Sequence, residues 1–112
     1  VLDSLELHKD GEIATIYALE EWFKNTGAHA RDCEDALDMI MSMQIVQVAF
    51  FIRFTNGACR VSLRSKNELD VSKIASIFDG GGHFNASGCT IDTKDVEVAK
   101  NLVLKEVIKY YG

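Results

Sequence analysis

The sequence has no proline and only three cysteines in 112 residues. Cys33, Cys59 and Cys89 are far apart, odd in number and without any CxxC pair. Such spacing disfavours both a disulfide framework and a structural zinc site. Three reduced, buried thiols are instead typical of a cytoplasmic protein, which is the location that we predict.

Long apolar runs and an excess of positive charge are also missing. The longest apolar run, VAFFI at 48–52, has the length of a strand, and no signal peptide is visible, so we predict no membrane partner. The chain has 12 basic and 17 acidic residues, a net charge of −5. This balance disfavours broad binding to duplex nucleic acid, but a local basic patch could still bind a small nucleotide or a short oligonucleotide. Because the chain does not begin with methionine, we expect it to be a piece of a larger protein.

The hydrophobic patterns predict one α/β domain over residues 1–112, with no linker or repeat. Strands are predicted at 12–19, 45–55, 58–65 and 89–92. Helices are predicted at 20–26 and 32–43. A third helix is predicted to begin at 71 after a cap at Asp70, and a fourth to span 94–111 after a cap at Asp92 or Thr93. Asn56-Gly57 between two strands predicts a hairpin. Together these elements predict a mixed sheet of four to five strands with helices packed on it.

The most informative segment is a glycine run closed by a histidine, GGGHFNASG at 80–88. We predict that it joins the helix after Asp70 to a second short helix that Gly88 ends. Gly80, Gly81 and Gly82 would then present backbone N–H groups at a helix N-terminus, with His83 as a further donor, and form a phosphate cradle. The alternative is a tight helix connection in which glycine only avoids clashes and His83 caps a helix or packs in the core. His8 and His29 lack such a context and are predicted at the surface.

A second candidate is the basic segment RVSLRSK at 60–66. If it forms a strand, Val61 and Leu63 face one side while Arg60 and Arg64 face the other. We predict that Arg64 binds phosphate through its planar fork and that Ser65 adds a hydroxyl donor. Arg60 is predicted to be solvated, and the alternative for the whole segment is a set of charges that deters edge pairing.

These segments, in order, resemble one known family. VSLRSK at 61–66, DVSKIA at 70–75, Phe78, GGGH at 80–83 and ASGCTI at 86–91 are similar to the C-terminal DHH-associated domain, first subtype, of DHH-family phosphoesterases. The resemblance is to the group of oligoribonucleases and 3′-phosphoadenosine 5′-phosphate phosphatases. The family usually has glycine where this chain has Asp79, and a carboxylate there would weaken phosphate binding if it pointed inward.

The resemblance implies a substrate-recognition domain from the C-terminal part of a two-domain hydrolase. It implies a catalytic centre with manganese or magnesium in a separate N-terminal DHH domain, and neither a catalytic residue nor a metal site in this chain, which has no Asp-His-His triplet. The expected partners are a short RNA or nucleotide substrate, the DHH catalytic domain and a second copy in a homodimer. The expected phosphate-binding residues are Arg64, Ser65, Gly80, Gly81, Gly82 and His83.

Three alternatives stay open. Two are hydrolases. A cyclic dinucleotide phosphodiesterase is one, because the resemblance implies that relatives with this activity share the domain. An exopolyphosphatase-like enzyme is the other, because a phosphate cradle does not by itself require a base. The third is of another class, a stand-alone nucleotide-binding or dimerisation module.

Overall fold

The structure is a computed structural model that describes residues 5–18 and 30–111. The helix predicted at 20–26 lies outside these residues. The described strands are β1 (Glu6–His8), β2 (Ile13–Ala18), β3 (Val48–Thr55), β4 (Ala58–Ser65), β5 (Gly81–His83) and β6 (Ala86–Ile91). The described helices are α1 (Ala30–Met41), α2 (Val71–Ile77) and α3 (Val96–Tyr111).

The strands form one mixed sheet in the order β1-β2-β3-β4-β6-β5. The β2 and β3 strands are parallel and are connected through α1, whereas every other neighbouring pair is antiparallel. The predicted α/β class with a mixed sheet is thereby confirmed. Among the described residues the sheet has six strands rather than the predicted four to five, because β1 and β5 are three-residue strands that carry little hydrophobic pattern.

The predicted β3–β4 hairpin is confirmed. Asn56 and Gly57 both have positive φ angles, 54° and 78°, which is the geometry of a type I′ turn. Thr55 pairs with Ala58 directly across this turn. The hairpin fixes the register of the two longest strands, and the register in turn decides which side chains share a face.

Each face of the sheet has its own hydrophobic cluster. Helices α2 and α3 pack on one face, which we call the covered face, through the buried side chains of Ile13, Val48, Phe50, Ile52, Val61, Leu63, Ile74 and Val103. Helix α1 packs on the other face through Leu37 and Ile40, which contact a smaller cluster that includes Ile16, Ala49 and Phe51. The second cluster lies on β2 and β3, so among the described residues α1 leaves β6 and β5 without an apolar cover.

The helix caps divide into one confirmed prediction and one correction. Asp70 caps α2 by accepting a hydrogen bond from the Ser72 N–H at 3.0 Å. Helix α3 is capped by Asp95, not by Asp92 or Thr93, because the Asp95 carboxylate accepts hydrogen bonds from the N–H groups of the second and third helical residues. The Thr93 hydroxyl accepts a hydrogen bond from the Asp95 N–H, which shapes the turn before the helix.

The prediction of a helix after the glycine run is wrong. The segment folds into a hairpin in which β5 pairs with β6, and β6 begins at Ala86 rather than at Cys89. Side chains alternate along β6, with Ser87, Cys89 and Ile91 buried on the covered face. Since no helix begins at the glycines, the argument for an anion site at a helix N-terminus does not apply.

Two of the predicted buried thiols are confirmed. Cys59 and Cys89 are free and buried, and burial raises the pKa of Cys89 to about 11 and also raises the pKa of Cys59. The side chain of Cys33 and all of His29 lie outside the described residues. His8 is half-buried, not fully at the surface, with Nε2 3.4 Å from the Thr15 hydroxyl. No helix in residues 5–18 and 30–111 has the length and apolar character needed to cross a bilayer.

Candidate phosphate-binding face

The strand register aligns side chains in rows on the face opposite α2 and α3. Residues directly opposite each other on paired strands share a face. One row, called here the Arg64 row, runs from Arg64 on β4 through Ala86 on β6 to His83 on β5. A parallel row, the Arg60 row, contains Arg53 on β3, Arg60 on β4 and Thr90 on β6. The face that carries these rows is the candidate phosphate-binding face.

The Arg64 row brings together two of the residues that the sequence predicts as phosphate ligands. Arg64 and His83 are two strands apart, a spacing of about 10 Å between backbones. Between them Ala86 presents only a methyl group, so the row has a small side chain between an arginine and a histidine.

Arg64 is partly preorganised by its own strand. One guanidinium nitrogen donates to the Leu63 carbonyl at 3.0 Å, and another lies 3.7 Å from the Glu34 carboxylate of α1. The Glu34 side chain is 61% exposed and that of Arg64 is 21% exposed, so water screens this ion pair. Solvent-screened pairs of this kind contribute little to stability.

The three glycines of the run differ in what the fold requires of them. A Cβ on Gly80 would lie 2.2 Å from the Gly88 carbonyl oxygen, and one on Gly82 would lie 2.7 Å from the Ser87 Cα. Both glycines are therefore needed for the close approach of β5 and β6. A Cβ on Gly81 would meet nothing within 4 Å. Packing therefore does not require glycine at position 81. The Gly81 backbone lies on the candidate face, where Gly81 pairs with Gly88.

Asp79 has a structural role at the end of α2. The Asp79 N–H donates to the Ser76 carbonyl at 3.1 Å and the Gly80 N–H donates to the Ala75 carbonyl at 2.9 Å, a pair of bonds that defines a Schellman motif. Asp79 takes the left-handed position of this motif, with φ of 59°. Glycine is favoured at this position because it has no Cβ. The geometry of the turn is therefore enough to account for a glycine here, without any contact to a ligand.

Ser65 is not brought together with Arg64. It lies on the covered side of β4 and is buried, and its hydroxyl donates to the Leu69 carbonyl at 2.5 Å. The same hydroxyl accepts a hydrogen bond from the Asn85 side-chain amide at 2.9 Å. These contacts fasten the β4–α2 loop to the β5–β6 turn and so position the strand that carries His83.

Sequence reasoning missed the neighbours of Arg60. Arg60 is exposed, as predicted, but it also donates to the Thr90 hydroxyl at 3.1 Å. One of its guanidinium nitrogens lies 3.5 Å from the place that a Cβ on Gly88 would occupy. The sequence carries little signal for these neighbours, because Ala86, Ser87 and Gly88 show almost no hydrophobic period and the pairing of β6 with β4 joins distant segments.

Within the part of the chain that the structure describes, no three histidine, cysteine or carboxylate side chains lie close enough together to hold a metal ion. The described residues thus do not fit a metal centre, and no chemical step is assigned to a metal in this chain. The hydrogen-bond donors on the candidate face are arginine, histidine and threonine side chains, and such groups are typical of a site that binds an anion.

Comparisons with known proteins place this geometry in a family. The chain is 30% identical over 107 residues to the bifunctional oligoribonuclease and PAP phosphatase NrnA of Thermus thermophilus, covering 96% of this chain and 32% of that protein. A segment of 43 residues is 49% identical to the oligoribonuclease NrnB of Bacillus subtilis, covering 38% of this chain and 11% of that protein.

A solved structure agrees over nearly the whole length. The exopolyphosphatase-related protein of Bacteroides fragilis matches with a TM-score of 0.84 and 28% identity, covering 99% of this chain and 32% of that one. The chain thus spans about a third of the length of the NrnA and Bacteroides proteins. The DHHA1 domain family matches residues 12–110. With its fold, its glycine hairpin and this match in agreement, the chain belongs to the DHHA1 domain family.

Proposed function

We propose that this chain is the substrate-binding domain of a phosphoesterase that hydrolyses short oligoribonucleotides, 3′-phosphoadenosine 5′-phosphate, or both. The observation that carries the proposal is the Arg64 row, in which the register places Arg64 and His83 on either side of the small Ala86. The names of the Thermus and Bacillus relatives support this substrate class.

Each residue of the row has a separate role in the proposal. Arg64 binds the non-bridging oxygens of one phosphate through its planar fork, and His83 donates to the same phosphate from the opposite side. Gly81 lets the sugar-phosphate backbone approach the sheet, because no Cβ stands in the way. Gly80 and Gly82 shape the hairpin, and Ser65 positions it without touching the phosphate.

Catalysis is assigned to a separate DHH domain of the same cytoplasmic enzyme, which would hold manganese or magnesium and supply the water that attacks phosphorus. This chain then binds and orients the substrate, and a second copy in a homodimer is part of the same proposal. The division of labour accounts for a face rich in anion donors that has no cluster of metal ligands among the described residues.

The test is a binding measurement by fluorescence anisotropy with a labelled linear diadenylate. Because hydrogen bonds to charged groups contribute about 1.5–3 kcal/mol, Arg64→Ala is expected to weaken binding at least about tenfold. Lys105→Ala, which removes an exposed positive charge from α3, is the matched control and is expected to change affinity little. Equal affinity of wild type and Arg64→Ala would contradict the proposal.

Competition on the same assay separates the alternatives. The likeness to the Bacteroides exopolyphosphatase-related protein makes inorganic tripolyphosphate a necessary competitor. If tripolyphosphate or cyclic diadenylate displaces the probe at lower concentration than unlabelled diadenylate does, the substrate is a polyphosphate or a cyclic dinucleotide instead. Cleavage of none of these substrates by the longest natural form of the protein would favour a stand-alone binding module.

A further inference from the structure

A second basic depression lies on the candidate face, next to the β3–β4 turn. It has a volume of about 360 Å³ and is lined by Arg53, Thr55, Asn56, Ala58, Arg60 and Thr90. These residues include the whole Arg60 row. The depression is separate from the Arg64 row, whose residues do not line it.

The lining of this depression suits a phosphate. The lining contains two guanidinium groups, two hydroxyls and one side-chain amide, and no carboxylate lies among the described lining residues. The chain as a whole carries a net charge of −5, whereas the described lining of the depression contains two arginines and no carboxylate. Arg60 is exposed and donates to Thr90, which leaves further N–H groups of its fork available on the solvent side.

The distance between the Arg64 row and the Arg60 row limits which ligands can contact both. Arg60 and Arg64 are four residues apart on β4, which corresponds to about 13 Å along the strand. Ser62 on β4 and Gly88 on β6 lie between the rows as a directly opposed pair, and both are small. One phosphate group is too small to contact both rows, whereas separate phosphates of a linear backbone can follow this low path between them.

We propose that the depression around Arg53 and Arg60 is a second phosphate subsite, which makes the face selective for linear oligonucleotides over single nucleotides. This inference rests on the proposed function, because it takes the Arg64 row as the first subsite. A nucleotide bound at the Arg64 row leaves the depression empty, and a longer chain places a further phosphate in it.

Calorimetric titration tests the inference with two ligands, 3′-phosphoadenosine 5′-phosphate and a linear tetra-adenylate. Arg60→Gln is expected to weaken tetra-adenylate binding about tenfold and to leave the mononucleotide unchanged. The slope of log affinity against log salt for the tetra-adenylate is expected to fall by about 0.7. Arg60→Lys keeps the charge and is expected to restore the salt slope while recovering only part of the affinity.

The controls separate failure of the inference from failure of the proposed function. Arg64→Ala is expected to weaken both ligands, and Lys105→Gln neither. If Arg64→Ala weakens both and Arg60→Gln weakens neither, or weakens both equally, the second subsite is wrong and the proposed function stands. If wild type binds neither ligand or Arg64→Ala has no effect, both are wrong. Thermal unfolding of each variant shows whether a loss of affinity reflects a loss of fold, and Arg53→Gln then repeats the test from the neighbouring strand.

Discussion

The two faces of β4 differ in composition and in what they do. Val61 and Leu63 are fully buried against α2 and α3, whereas Arg60 and Arg64 lie on the opposite face with access to solvent. Because side chains alternate along a strand, neighbouring residues serve the core and the candidate site independently. The comparison teaches that stability and phosphate binding should be separable one residue at a time.

Leu63 and Arg64 test this separation most strongly. Leu63 has no exposed surface, so Leu63→Ala is expected to lower the free energy of unfolding by about 2–5 kcal/mol. Arg64→Ala is expected to change it by less than about 1 kcal/mol, because its ion pair with Glu34 is screened. Urea denaturation followed by circular dichroism measures both. Similar losses for the two variants would show that the faces are not independent.

Gly80 and Gly81 make the same comparison within the hairpin. Gly80→Ala is expected to cost about 3 kcal/mol, since the added Cβ would lie 2.2 Å from a carbonyl oxygen and the backbone must move. Gly81→Ala is expected to leave the unfolding transition nearly unchanged but to weaken diadenylate binding. The thermal midpoint and the anisotropy titration of the two variants decide this. Unchanged binding by Gly81→Ala would remove Gly81 from the site.

Substitution of Glu34 is expected to strengthen diadenylate binding slightly, whereas the Arg64 and Gly81 substitutions are expected to weaken it. The Glu34 carboxylate lies 3.7 Å from the Arg64 guanidinium. If Arg64 binds phosphate as proposed, Glu34 competes with that phosphate. Glu34→Gln is expected to strengthen diadenylate binding about threefold, in keeping with the small contribution of an exposed ion pair. Asp38→Asn, at an exposed position of the same helix, is the control in the anisotropy assay. Weaker binding by Glu34→Gln would mean that Glu34 supports the site rather than competing with it.

Substitution of Asp79 is expected to have the smallest effect, a slight change in the free energy of unfolding. Asp79→Gly is expected to stabilise the chain by about 0.5 kcal/mol, because glycine adopts the left-handed φ of the Schellman position without a Cβ penalty. Asp79→Ala, which keeps the Cβ, is expected to give no such gain. Chemical denaturation measures both variants. A lower stability of the glycine variant would mean that the Asp79 side chain makes a stabilising contact.

Much of the fold could be predicted where the signal is local. The Asn56-Gly57 turn and the Asp70 cap are each written in a few adjacent residues, and both are confirmed. The β5–β6 hairpin was missed because glycine, alanine and serine carry almost no hydrophobic period, so a short helix and a strand pair look alike in this segment. Its pairing depends on β4, which is distant in sequence.

For the candidate site, too, local sequence pattern predicted what lies within one strand but not what lies across strands. The alternation of RVSLRS at 60–65 correctly separated Arg64 from Val61 and Leu63, because burial on one face imposes a period of two. It could not show that His83 joins the Arg64 row or that Thr90 joins Arg60. Those neighbours depend on the strand order, which loop lengths and local pattern do not specify.

The most direct test of the central claim is a chemical-shift titration of the isotopically labelled chain with linear diadenylate. The account predicts saturable shifts centred on Arg64, Ala86, His83 and Gly81, with the amides of α3 largely unmoved. Shifts confined to the helices of the covered face, or no shifts at millimolar ligand, would contradict the assignment of phosphate binding to this face of the sheet.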